Sequence, residues 1–131
     1  MMGIVHLLVG AALGSISGSK CEAGVAGFAS HLVLDSLPHR DLDLKGEIMA
    51  ASAAIVVLAP LIKLDARALT GAAAAVAPDL ENALWRFDII SKKDMRYPSH
   101  SGLTPHGPKV ATVAGQVLIA VAALFVLRRR R

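Results

Sequence analysis

Apolar positions along this chain fall in long blocks rather than alternating, which predicts buried or lipid-facing helices in place of half-buried strands. Met1 to Ile16 is apolar except for His6 and lacks the basic start and small-residue cleavage site of a secretory signal, so it reads as a retained helix. Ser19-Lys20-Cys21-Glu22 has capping-box spacing and opens a second helix to about Leu37, where Pro38 disfavours continuation. These two helices are expected to form a tight hairpin. Gly46 to Leu64 is a third block, almost uninterrupted apart from Glu47 and Pro60, and Asp65 can cap a fourth from Ala66 to Ala77. At about 1.5 Å per residue the fourth covers roughly 18 Å of a hydrocarbon core of about 30 Å. It is therefore a half-helix, a re-entrant piece, or is extended by the segment after Pro78.

Residues 78–108 change to mixed charge, with Trp85, Phe87 and Tyr97 near Arg86, Lys92, Lys93 and Arg96. Aromatic and long basic side chains suit the headgroup zone, so this stretch reads as an interfacial loop. Val110 to Leu127 carries no charge and precedes the run Arg128 to Arg131, which places a C-terminal transmembrane helix at 109–127. The expected fold class is all-α: one integral-membrane domain over 1–131, with four to five transmembrane or re-entrant helices.

Composition agrees with this pattern. Hydrophobic residues make up 54% of the chain and aromatics 4%, an unusual balance for a soluble domain of 131 residues. The formal charge of +4 does not point to nucleic acid, because four of the fourteen basic residues form the terminal arginine run beside an apolar segment. The partner expected instead is the lipid bilayer, in a bacterial cytoplasmic membrane. Cys21 is the single cysteine, so no intramolecular disulfide and no site of paired thiolates is available.

Ionisable residues inside apolar helices are expensive and mark function. His31 and Asp35 fall on one helix face one turn apart. Gly10, Gly14 and Gly18 share a stripe with His6, and Gly27 shares one with His31 and Asp35, so the two backbones can approach closely. A turn near residues 19 and 20 sets His6 level with residues 32 and 33, where the three side chains can meet. Counting crossings brings all five histidines and Asp79 to one side, with seven basic residues on each side, so the charge balance does not orient the protein. Asp79, next to Pro78, and His100, in the Gly/Pro-ordered loop that also holds His106, join the cluster. Asp41 and Asp43 read better as solvated loop residues.

The combination of a His-Leu-Leu-Val-Gly segment (His6), a His-x-x-x-Asp helix (His31, Asp35), a Pro-Asp motif (Asp79) and a His-Ser loop (His100) resembles the bacterial membrane-bound metal-dependent hydrolases. The resemblance spans about residues 3 to 107, with the Pro-Asp motif after the His-x-x-x-Asp helix where that family has it before. It implies a metal centre at His6, His31, Asp35, Asp79 and His100 in a small helical membrane protein.

The expected cofactor is a divalent ion, zinc first, with manganese or iron as alternatives. Metal-assisted hydrolysis of a phospholipid or other phosphoester is the leading activity, with Glu81, His39 or His106 as general base or acid. Two other readings stand beside it. One is a haem or metal carrier with His6 and His31 as axial ligands; the other is a structural membrane subunit without catalysis.

Overall fold

Glycine sets how closely the helices of this protein meet. The computed structural model describes residues 1–58, 65–97, 101 and 107–129. It contains five α-helices: α1 (Gly3–Ile16), α2 (Lys20–Ser36), α3 (Leu44–Leu58), α4 (Ala66–Arg86) and α5 (Ala114–Arg129). A single 3-10 turn, Lys92–Asp94, lies between α4 and α5, and no strand occurs among the described residues. Helix α1 is the hub, packing against the other four, and α2 packs on α4 as well.

The glycine stripes do not join α1 to α2 directly, as the sequence suggests; both face α4. A Cβ on Gly10 would strike the Gly71 carbonyl and Ala75, one on Gly14 would strike Arg67, and one on Gly27 would strike Gly71. Gly71 is the reciprocal position, its absent Cβ leaving space for the Gly10 carbonyl. Only residues without side chains allow three backbones to converge like this. Leu8, Ala11, Ala12, Ala72, Ala123 and Leu127 fill the space between α1, α4 and α5.

Helix ends follow local rules. The Ser19 hydroxyl accepts the Glu22 N–H at 3.2 Å, while the Glu22 carboxylate reaches back to the Gly18 N–H at 2.8 Å, one residue before the cap. Asp65 accepts the N–H groups of Arg67 and Ala68 at the start of α4. These bonds, that from Ala68 foremost, hold its carboxyl below the usual range. Asp43 takes the Gly46 N–H at 2.8 Å and so caps α3.

Two boundaries differ from those expected from sequence. Helix α4 continues through Pro78 to Arg86, so residues 78–86 of the expected loop are helical and the fourth block is extended. Proline gives up one backbone bond and opens the turn below it, but the helix formers after it and the packing of a buried Pro78 carry the helix onward. Helix α5 starts at Ala114 and not at 109. Here the backbone is committed elsewhere: Gly107 donates to Asp35 O at 2.7 Å, His39 to Pro108 O at 3.2 Å, and Val110 to His39 O at 3.1 Å. Gly107 sits so close to the Leu37 carbonyl that no side chain fits there.

The helices alternate in direction. Gly3 donates to Glu47 Oε2 at 3.0 Å, and Met2 donates to Gln116 Oε1 at 3.0 Å, so α1, α3 and α5 all start at one end. Arg67, at the start of α4, donates to Ser17 O at 2.7 Å at the other end. None of the described helices is long and apolar enough to cross a membrane. At 14 and 16 residues, α1 and α5 reach roughly 21 and 24 Å, and α4, at 21 residues, carries four charged side chains.

A single methyl group tests the three-helix contact. Gly71→Ala is expected to destabilise the fold by about 1–3 kcal/mol through overpacking. Gly115→Ala, where nothing lies within 4 Å of the new methyl, is expected to stabilise it by roughly 0.5–1 kcal/mol. Thermal unfolding of both variants followed by circular dichroism reads the contrast.

Candidate metal centre

The convergence at Gly71 carries α1 and α2 past the next turns of α4 in fixed register. His6, His31 and Asp35 are thereby buried together, with 0%, 0% and 2% of their surface exposed. His6 Nε2 is 3.2 Å from Asp35 Oδ1, and His31 Nε2 is 3.1 Å from Asp35 Oδ2. The two imidazoles stack, with ring centroids 4.0 Å apart and planes inclined by 22°. Asp79, one turn of α4 beyond Ala75, completes a set of three: one ligand atom each from His6, His31 and Asp79 lies within 4.8 Å of the others.

The hydrogen-bond chemistry of this group is specific. His31 Nδ1 is 2.7 Å from the Ala75 carbonyl, which can only accept, so Nδ1 carries the proton. In the neutral ring Nε2 then bears the lone pair and faces a carboxylate oxygen, an arrangement that calls for a positive charge beside it. His6 makes the demand stronger. Fully buried, it has an Nδ1 with no hydrogen-bond partner among the described residues, which costs about 1–3 kcal/mol, while its Nε2 faces Asp35 Oδ1. Protonating both rings is not a remedy, since two imidazolium ions in a face-to-face stack repel. A proton on His31 alone supplies that charge as an imidazolium–carboxylate pair with Asp35, and a cation held by the two imidazoles and the carboxylates supplies it equally. The bond from His31 Nδ1 to a backbone carbonyl is also the one that orients metal-binding histidines.

Pro78 has a part in this geometry. Its missing N–H leaves the Ala74 carbonyl without its helical donor, one residue before the Ala75 carbonyl that His31 engages. Asp79 follows inside the helix.

Above the centre opens a cleft of about 370 Å³ whose walls include Asp35, Asp41, Glu47, Asp79, Arg86 and Lys92. The Met1 ammonium lies 3.2 Å from both Asp35 Oδ1 and Asp41 Oδ1. His39 is buried beside this wall, with Nδ1 2.7 Å from Leu37 O and Nε2 3.1 Å from Asp41 Oδ1. The His39 ring and the Asp41 carboxylate thus lie side by side at the edge of the cleft.

Glu81 is placed otherwise than the sequence suggests. Its two carboxylate oxygens accept the Arg96 N–H at 2.6 Å and the Tyr97 N–H at 2.9 Å, so it anchors the returning chain and is not positioned as a general base. His100 and His106 lie outside the described residues; of their flanks, Tyr97 is held by Glu81 and Gly107 by Asp35.

Two wall residues escape the sequence reading. Asp41 was expected in a solvated loop, yet at 35% side-chain exposure it contacts His39 and the ammonium. Glu47 was visible only as an interruption of the third block. Its signal was the one that marks His31 and Asp35, a lone charge in an apolar helix. No protein-family model matches this chain, and neither a curated protein nor a solved structure does.

Glu81→Ala is expected to speed amide exchange at Arg96 and Tyr97 by tenfold or more, in line with about 1–3 kcal/mol for two lost bonds to a carboxylate. Bound metal should be unchanged. A parallel loss of metal would return Glu81 to the centre itself.

Proposed function

We propose that this protein is a membrane-embedded, metal-dependent hydrolase acting on phosphoesters at the membrane face, related to the family that its motifs resemble. The observation that carries the reading is the buried His6–His31 stack. One nitrogen of each ring faces Asp35, which lines the open cleft together with Asp79, a donor set that suits a divalent cation. His6, His31 and Asp79 would hold the ion, with Asp35 bridging the two imidazoles. Nitrogen and oxygen donors without thiolate suit zinc, with manganese and iron as alternatives. When bound, such an ion provides Lewis acidity toward a phosphoryl oxygen and makes water a better nucleophile near neutral pH.

The protein's own groups supply the rest. Asp41, paired with His39, is positioned to accept a proton in the cleft, and its carboxylate is the accessible member of that pair. Arg86 and Lys92 bring positive charge to the rim, where a phosphate would enter.

Insertion in a bilayer is supported by the distribution of apolar side chains. Val25 and Val33 on α2, Ile48, Met49 and Val56 on α3, and Leu118, Val121 and Phe125 on α5 all point outward. A polar group of His6, His31, Asp35, His39 and Gln116 is buried at the same time. Helices this short would be accommodated by local thinning of the bilayer, at a modest cost per ångström.

Metal analysis of protein purified in detergent tests the proposal. Wild type is expected to retain stoichiometric metal, and His6→Ala and Asp79→Ala to bind zinc at least about tenfold more weakly. Hydrolysis of a phosphoester should fall with metal content and return when zinc is restored to stripped wild type. Background metal in all three proteins would leave only the structural-subunit reading.

A further inference from the structure

The chain from Trp85 to Tyr97 forms a fixed lobe beside the cleft. Helix α4 ends in a Schellman motif: Asp88 adopts φ 56°, its N–H bonds to Trp85 O at 3.0 Å, and the Ile89 N–H bonds to Leu84 O at 3.0 Å. Aspartate is among the few residues that tolerate this left-handed backbone. The Ser91 and Asp94 side chains then close the 3-10 turn, and Glu81 ties down Arg96 and Tyr97. This bracing holds apolar side chains out into solvent, with Phe87 59% and Ile89 67% exposed. Lys92 lies over the Trp85 ring, 6.0 Å from its centroid, a cation–π contact that keeps the ammonium at the cleft rim.

The cleft lining is therefore cationic and aromatic where Trp85, Arg86 and Lys92 contribute to it, and α4 also carries exposed leucines. Leu69 and Leu80 are 53% and 64% exposed and lie eleven residues apart on α4, almost exactly three turns and hence on one face. The lining also includes Asp35, Asp41, Glu47 and Asp79, which would repel an anion until a cation offsets them. A ligand that fits both features has a phosphate at one end and a long apolar portion at the other.

We infer that the cleft takes the phosphate of a membrane lipid, which enters from the bilayer across Phe87 and Ile89. This inference rests on the metal-dependent reading above. Arg86 and Lys92 bind the phosphate by charge-assisted hydrogen bonds, and the acyl chains follow the Leu80–Leu69 strip. Free phosphate and water-soluble phosphoesters share the headgroup chemistry but gain nothing from the lobe.

The full chain in detergent micelles, loaded with zinc, is titrated in parallel with inorganic phosphate and with dihexanoyl phosphatidic acid, and zinc is measured in every sample. The lipid is expected to bind at least about tenfold more tightly than phosphate, from the apolar area that only it buries. Arg86→Gln and Lys92→Gln should each weaken both ligands by about tenfold. Phe87→Ser combined with Ile89→Ser should weaken the lipid alone. Equal affinity for the two probes, or lipid binding indifferent to the Phe87 and Ile89 pair, would overturn the inference in a protein that still holds its zinc. Wild type without zinc would sink the hydrolase reading and this inference with it.

Discussion

Everything at the centre of this protein depends on the contact of three backbones at Gly71. Helix α4 can enter between α1 and α2 because Gly10, Gly14 and Gly27 present no side chain to it. That approach sets the register of the three helices, and register decides which residues meet one to two turns further along. Ala75 comes beside His31, and Asp79 comes beside both imidazoles. A bundle held apart by ordinary apolar side chains would keep these groups at distances where neither the histidine–carbonyl bond nor the ligand cluster could form.

The polar centre then imposes its own conditions. Two stacked imidazoles and a carboxylate in a dry interior destabilise the fold unless each donor and acceptor is matched. His31 meets part of this through the Ala75 carbonyl. His6 meets it only through Asp35, since its Nδ1 has no partner among the described residues. Alternation of the helices completes the design: the starts of α1, α3 and α5 and the end of α2 gather at one end, where Asp41, Glu47, Arg86 and Lys92 surround the opening.

Much of this was legible in the residues. The His31–Asp35 spacing, the glycine stripes and the even count of passes between histidines are local or topological properties, and the structure brings His6, His31, Asp35 and Asp79 to one end of the bundle. Glu81 and Asp41 were not legible, because a carboxylate's role depends on which N–H or ammonium lies opposite it. Glu81 faces the backbone of Arg96 and Tyr97, fifteen and sixteen residues away, and Asp41 faces the ammonium forty residues before it. The course of α4 through Pro78 was open from sequence for a similar reason. Proline's local cost is known, but the packing that offsets it comes from other helices.

By itself, then, the sequence determined the helical class, the caps at Ser19 and Asp65, the end of α2 before Pro38, and the residue types from which a metal centre could be built. These follow from periodicity, side-chain chemistry and spacing within one or two turns, all carried by neighbouring residues. Only the tertiary structure decided that the glycine stripes meet α4, that Asp79 sits inside a helix, that Glu81 braces a loop, and that Asp41 and Glu47 line the cleft. Each of those outcomes depends on which distant groups share a few ångströms of space, and that is settled by packing the whole chain at once.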